Sequence, residues 1–235
     1  MKARIRFSKQ GSMKFIGHLD VMRYFQKLIR RAGIDAAYTE GLHPHMIMSF
    51  ASPLGIGLTS DAEYADIELN SPISSEEAVR MLNQAGTEEM KVTGFVQIPD
   101  GKANKAMTLV AAADYELKFR DSHAPDFDWK EGLSDFFSQP QIFVMKKSKH
   151  SEKEVDIRPM IYEWSVSFDV LRLKLAAGSS ENLKPGLVMD AYLKQRGMET
   201  DPFAYEINRC EIYADIGTDK EKRLVSLYDL GKELL

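Results

Sequence analysis

The sequence predicts an α+β protein with antiparallel sheets, in which the element order βαββαβ occurs twice in tandem. Three observations lead to this fold class. The chain has 235 residues, which is more than one compact domain usually holds. Segments that alternate polar and apolar residues, typical of strands, are interleaved with segments that carry the apolar stripe of a helix. A break at Pro99-Asp100-Gly101-Lys102 separates two stretches of the same order, so we expect units at 1–100 and 106–216 and a tail at 217–235.

The first unit begins with strand-like alternation in Arg4–Phe7, followed by a helical pattern from His18 to Ala32 that Gly33 ends. The segment Ser74-Ser75-Glu76-Glu77 fits a capping box and predicts a second helix, which continues to Gly86. The predicted strands that complete this unit are Ala36–Glu40, Tyr64–Leu69 and Met90–Ile98, and the turn-rich segment Gly41–Ser60 lies between the first two.

The second unit repeats this order after the break. The predicted strands are Leu109–Arg120, Gln141–Lys146, Ser165–Leu175 and Tyr205–Tyr213, and the predicted helices are Asp126–Ser138 and a segment from Pro185 to Gly197. A further short strand or helix is expected in Lys220–Leu235. Each half is a split βαβ unit, so the sequence predicts two tandem ferredoxin-like units.

Composition sets the class of protein and its compartment. With 44% hydrophobic and 28% charged residues, the chain is a folded protein rather than a disordered one. The single cysteine, Cys210, excludes an internal disulfide framework, an iron–sulfur cluster and a cysteine-rich zinc site held by this chain alone. There is no run of 18 apolar residues, and the first residues do not resemble a signal peptide, so we expect a cytoplasmic protein without a membrane span or a resident cofactor.

The charge is unevenly distributed along the chain. Residues 1–50 carry nine Lys and Arg against three Asp and Glu, although the whole chain has a net charge of −4. Part of this excess lies on one face of the first predicted helix, formed by Arg23, Lys27, Arg30 and Arg31. A basic face on an acidic protein can bind phosphate groups locally, and a solvated helix surface is the alternative interpretation.

Histidines provide the candidate acid–base groups. His18 lies at the predicted start of the first helix, where it either donates a proton, binds phosphate or packs in the first turn. His43 and His45 are two residues apart, so in an extended segment both rings face one side, and Glu40 or His18 could complete a proton-transfer pair or a metal site. Loop packing is the alternative, and we assign no metal.

The second unit contains a charged connection, Lys146 to Arg158, which either covers a binding groove or forms an ordinary solvated hairpin. Its cations Lys146, Lys147 and Arg158 are candidate RNA-binding residues.

Several stretches of the chain resemble an uncharacterised bacterial domain family whose members are fused to, or encoded beside, cobalamin-binding radical SAM proteins. These stretches are Phe7–Arg23, Arg30–Ile34, Tyr38–His45, Ser49–Leu54 and Asp156–Pro159. The chain departs from the family pattern at Met46, which follows the second histidine. The resemblance implies association with a radical SAM enzyme. It also implies an RNA substrate, because genes of the family are found beside ribosomal and RNA-processing genes. The predicted element order also resembles the tandem ferredoxin-like arrangement of several RNA-handling families, a likeness of fold alone.

Three functions follow as alternatives. The preferred one is an accessory protein that binds RNA and presents it to a radical SAM partner. The second is an RNA-cleaving or RNA-modifying enzyme that works without metal and uses His18, His43 or His45 as acid and base. The third is a protein–protein adaptor in which the basic face binds an acidic partner.

Overall fold

The computed structural model describes residues 1–147, 152–199, 201, 203–218 and 221–235. They form two compact units, the first from residues 1–112 and 209–235 and the second from residues 113–208. The helices and strands, in chain order, are β1 Lys2–Lys9, α1 His18–Arg31, β2 Met48–Phe50, β3 Thr59–Glu68, α2 Ser75–Ala85, β4 Val92–Gln97, α3 Ala106–Leu109, β5 Val110–Phe119, α4 Leu133–Ser138, β6 Phe143–Lys147, β7 Glu152–Asp156, β8 Ile161–Ser167, β9 Val170–Ala176, α5 Pro185–Gln195, β10 Tyr205–Asp215 and β11 Leu224–Ser226.

In the first unit, β1 pairs with β3 on one side and with β4 on the other, and β2 adds to β3. All three pairings are antiparallel. Helices α1 and α2 contribute Phe25, Leu28 and Leu82 to a core with Ile5 and Phe95 of the sheet. Ser74 caps α2 by accepting a hydrogen bond from the Glu77 backbone N–H at 3.3 Å, while the Glu77 carboxylate binds Arg80 instead of returning to the cap.

The second strand of this unit lies later in the chain than the sequence predicted. Ala36 and Tyr38 make isolated bridges, to Leu69 and Met46, and the regular pairing with β3 is made by β2. The physical reason is an alternation of Met46, Met48 and Phe50, which pack against the core inside the segment that prolines and glycines marked as a turn.

The other face of the β1–β3 pair is covered by the C-terminal segment. Strand β11 pairs with β10, and Lys232 forms a bridge to Gln97 at the edge of β4. Beneath this segment, Arg4 is fully buried and forms a two-point ion pair with Asp66, with N–O distances of 2.8 and 3.2 Å. Arg4 and Asp66 are direct cross-strand neighbours, and both side chains are buried.

Strands β8 and β9 of the second unit join β5 and β10, which lie in it only in part, in the order β10-β5-β9-β8. Strands β6 and β7 form a separate antiparallel hairpin. Two predictions here were wrong. The single strand expected at Ser165–Leu175 is the hairpin of β8 and β9, which turns at Phe168 and Asp169, with Phe168 at φ 52°. The helix expected from Asp126 begins only at Leu133, because Gly132 before it takes a left-handed conformation at φ 91°.

The structure confirms an α+β chain with mostly antiparallel pairing. The tandem ferredoxin-like arrangement and the unit boundaries at 1–100, 106–216 and 217–235 stay predictions. No helix in the part of the chain that the structure describes is long and apolar enough to cross a membrane.

Candidate nucleic-acid interface on the first unit

Helix α1 presents a row of cations to solvent. At about 100° per residue, four side chains fall within an arc of about 100° that lies opposite the buried positions Val21, Phe25 and Leu28. We call this row the basic stripe, and all of its members are exposed: Arg23, Lys27, Arg30 and Arg31. The amphipathic pattern of the helix therefore determines where the positive charge lies.

The basic stripe has little negative charge on its own helix. Asp20 is the one acid in the α1 sequence, and it forms an exposed ion pair with Arg23 at 3.2 Å. The Arg30 Nε donates to the backbone carbonyl of Gln26 at 3.0 Å, which orients its guanidinium without neutralising it. Exposed ion pairs contribute little, so the stripe stays available to a polyanion.

A narrow crevice opens at the start of α1. His18 is half-buried there, and its ring is perpendicular to that of Phe50, with a centroid distance of 5.5 Å and an angle of 87°. The crevice is also lined by Lys9 and Glu63, and the space inside it that water can occupy is about 10 Å³. His18 is thus the one predicted acid–base residue that the structure builds into a concave site.

Two of the residues that line this crevice, Lys9 and Glu63, form a buried ion cluster with Arg209. Their exposed fractions are 2, 6 and 3%. Arg209 binds the Glu63 carboxylate at two points, with N–O distances of 2.8 and 2.5 Å. Burial lowers the pKa of Lys9, while the charge of Glu63 opposes that shift.

The buried ion cluster forms hydrogen bonds with two loops of the first unit. Lys9 Nζ donates to the carbonyls of Lys14 and Ile16, at 3.4 and 3.1 Å, in the turn before α1. Arg209 Nη2 donates to the carbonyl of Ser52 at 3.0 Å, in the loop that leads to β3. Because cations that are nearly fully buried hold these carbonyls, both loops are fixed to the sheet.

An exposed apolar surface lies on these loops and on the first turn of α1. It consists of Phe15, Leu19 and Ile56, which are exposed by 65, 65 and 67%. We call it the apolar patch. The loops that carry it are joined by a hydrogen bond from the Gly57 N–H to the Lys14 carbonyl at 2.8 Å.

The histidine pair lies elsewhere on the first unit. His43 and His45 are exposed in a loop closed by two hydrogen bonds: Thr39 N–H to the His45 carbonyl at 2.8 Å, and His45 N–H to Thr39 Oγ1 at 2.9 Å. Glu40 is exposed in the same loop, and none of these side chains lines the crevice that His18 enters. Among the described residues, no group of three or more His, Cys, Asp or Glu side chains is arranged to hold a metal ion.

The candidate cations of the second unit are tied to its own backbone. Lys146 Nζ donates to the Asn182 carbonyl at 3.2 Å, and Arg158 Nη1 donates to the Ile161 carbonyl at 3.0 Å. Lys147 ends β6, and its side chain lies outside the described part of the chain, as do residues 148–151 of the connection. Strands β6 and β7 on either side of that gap pair as a hairpin.

Sequence reasoning missed the buried ion cluster. Glu63 and Arg209 are 146 positions apart, and charged residues in strands are normally read as exposed. A usable signal lies in the strand that contains Glu63 and Asp66. These acids fall on opposite faces of a strand that also carries Ala62, Ala65 and Ile67, which indicates buried polar partners.

Comparisons with known proteins concern the family and the fold. The family model described as "Uncharacterized protein conserved in bacteria (DUF2344)" matches residues 2–185. Among solved structures, the chain is similar to one in the crystal structure of a Cbf5-Nop10-Gar1 complex, with 11% identity and a TM-score of 0.43. The match covers 89% of this chain and 48% of the other, so this chain spans about half the length of that structure. No curated protein matches this chain.

Proposed function

Since the chain belongs to the DUF2344 family of bacterial proteins, whose description names no activity, we propose a function from the geometry of the first unit: an accessory protein that binds RNA. The observation that carries the proposal is the basic stripe, four exposed cations on one helix of a chain with net charge −4. Phosphate contacts dominate the affinity of proteins for nucleic acid, and an acidic remainder discourages binding elsewhere on the surface.

The test is charge reversal on the stripe. The variant Arg23→Glu, Arg30→Glu, Arg31→Glu is expected to weaken RNA binding at least tenfold and to reduce the slope of log K against log salt by about 2, at about 0.7 per phosphate contact. The matched control reverses three exposed lysines on other elements, Lys102, Lys105 and Lys184, and so changes the net charge equally. Equal weakening in both variants would show that net charge, not the stripe, governs binding.

The finer fold assignment is part of the proposal. Two tandem ferredoxin-like units, divided near residues 100–106, are supported by the strand order in each unit: β4-β1-β3 with β2 on β3, and β10-β5-β9-β8. Both orders place the first strand of a βαββαβ series between its third and fourth strands, as a split βαβ unit requires. An experimental structure with a different strand order would remove this assignment.

The partner that we propose is a radical SAM protein, and its support is the family resemblance of residues 7–54. When this protein is expressed in a bacterium that also encodes the radical SAM protein, we expect the two to co-purify. The single cysteine predicts that they meet in the cytoplasm. If RNA co-purifies and the radical SAM protein does not, the RNA-binding proposal stands and the proposed partner is refuted.

A second candidate function has one specific observation in its favour, the position of His18 in the crevice. If the protein cleaves RNA by acid–base chemistry at His18, the His18→Ala variant no longer cleaves labelled RNA. The variants His43→Ala and His45→Ala test in the same assay whether the exposed histidines of the loop take part. If the labelled RNA stays intact in the presence of the wild-type protein, the RNA-cleaving function is refuted.

A further inference from the structure

The apolar patch lacks an explanation in the packing of the first unit. Phe15, Leu19 and Ile56 come from three different segments, yet each leaves about two thirds of its surface in water. The segments lie close together: a Cβ placed on Gly17 would lie 3.9 Å from the Ile56 Cδ1, and Gly17 is two residues from both Phe15 and Leu19. Exposed apolar groups that gather from separate segments are typical of a binding surface.

The backbone of the two loops that carry Phe15 and Ile56 is held to the sheet. Lys9 binds the loop that carries Phe15, at the carbonyls of Lys14 and Ile16. Arg209, which is paired with Glu63, binds the loop that carries Ile56 at the carbonyl of Ser52. A loop whose backbone is already ordered loses less conformational entropy when a ligand covers it. The buried ion cluster therefore acts as a positioning device for the patch.

The patch and the basic stripe are continuous along α1. Leu19 precedes Arg23 by four residues, so the two side chains lie one turn apart on the same face of the helix. From Leu19 to Arg31 the helix rises about 18 Å, the length of roughly five stacked nucleotides at 3.4 Å each. In addition, Lys14 Nζ lies 5.2 Å from the centroid of the Phe15 ring, so a cation accompanies the exposed aromatic group.

This combination distinguishes between two forms of RNA. In a duplex the faces of the bases are stacked on one another, and the protein meets mainly phosphates and hydroxyl groups. In a single strand the bases can leave the stack and pack against aromatic or aliphatic side chains, while the phosphates bind cations alongside. A surface that served a duplex would need the stripe alone.

We propose that the ligand of the basic stripe is single-stranded RNA, and that the apolar patch of Phe15, Leu19 and Ile56 binds its unstacked bases. This inference rests on the proposed RNA-binding function. It adds the class of RNA and assigns a separate site to the bases, at the end of the stripe where α1 begins.

Fluorescence anisotropy with three labelled probes tests the proposal: a 12-nucleotide single strand, a blunt duplex of the same sequence, and the single strand with abasic sites. The variant Phe15→Ala, Ile56→Ala is expected to bind the single strand about tenfold more weakly, with an unchanged salt slope and unchanged affinity for the duplex. The abasic strand is expected to bind wild type and variant equally. Phe168→Ala, which removes a phenylalanine exposed by 91% in the other unit, is the matched control.

The outcomes separate this inference from the proposed function. If the stripe variant weakens binding while the Phe15→Ala, Ile56→Ala variant keeps wild-type affinity for the single strand, RNA binding stands and the base site is refuted. Equal weakening on single strand and duplex also refutes it. If wild-type protein binds none of the probes, both proposals fall. If the patch variant keeps its RNA affinity and loses a co-purifying protein, the patch is a protein-docking surface and the inference is overturned.

Discussion

The buried pair of Arg4 and Asp66 provides the sharpest test of what holds the first unit together. Asp66→Ala removes three hydrogen bonds: two from Arg4, and one from the Ala106 N–H at 2.6 Å. It leaves a fully buried guanidinium whose remaining partners are the carbonyls of Leu227 and Asn104, at 2.8 and 2.9 Å. Bonds to a charged group contribute about 1.5–3 kcal/mol each, and water admitted to the gap returns part of that. We therefore expect a loss of about 3–5 kcal/mol in the free energy of unfolding.

Urea denaturation followed by far-UV circular dichroism measures this loss. The control is Glu77→Ala, which breaks an ion pair with Arg80 that is exposed to solvent and is expected to leave the unfolding midpoint unchanged. A double variant, Arg4→Met with Asp66→Leu, replaces the pair by apolar groups and is expected to recover most of the stability. If Asp66→Ala costs less than about 1 kcal/mol, or if the double variant is no more stable than the single one, the argument from an unpaired buried charge is wrong.

Three further changes have expected outcomes. Gly94→Ala places a Cβ against the ring of Tyr228 in the C-terminal segment and is expected to cost about 1–3 kcal/mol; an unchanged thermal midpoint would contradict this close packing. Phe168→Gly relieves a left-handed conformation at φ 52° in a two-residue hairpin turn and is expected to stabilise the second unit by about 1 kcal/mol, so a lower midpoint would refute the strain. Hydrogen bonds from Ser12 hold the pKa of Glu89 below its ordinary value. The stability that these bonds provide is present at neutral pH and is lost as pH falls through the lowered pKa. Ser12→Ala is therefore expected to narrow the difference in the free energy of unfolding between pH 7 and pH 3, and an unchanged difference would contradict the role of Ser12.

Elements with complete local signals were predictable from sequence. Helix α1 has a continuous apolar stripe and a glycine stop, and the structure confirms it within one residue of the predicted end. Ser74 caps α2 as expected. In contrast, β2 lies in a segment whose prolines and glycines outweigh the alternation of Met46, Met48 and Phe50. The turn at Phe168 was missed because its first residue takes a conformation that glycine normally supplies.

The candidate site was predictable only where it depends on one helix. The positions of the basic stripe follow from helical periodicity, since each cation is fixed relative to its neighbours on α1. The buried ion cluster depends on partners that are distant in sequence. The strand that contains Glu63 indicates buried polar partners, but no local pattern identifies them as Arg209 and Lys9. The apolar patch likewise requires knowledge of how two loops meet, as the hydrogen bond from Gly57 to Lys14 shows.

The first unit is made of two stretches of chain, residues 1–112 and 209–235, with the whole second unit between them. A ribosome therefore finishes the second unit before it makes Arg209, on which the Ser52 loop depends, and before it makes Leu227, which binds Arg4. The loop that carries Ile56 therefore gains its contact with Arg209 only after the second unit has been made. A chain interrupted anywhere before residue 209 carries the basic stripe without Arg209, so we expect it to keep the cations that bind phosphates and to lose the contact that holds the loop of Ile56.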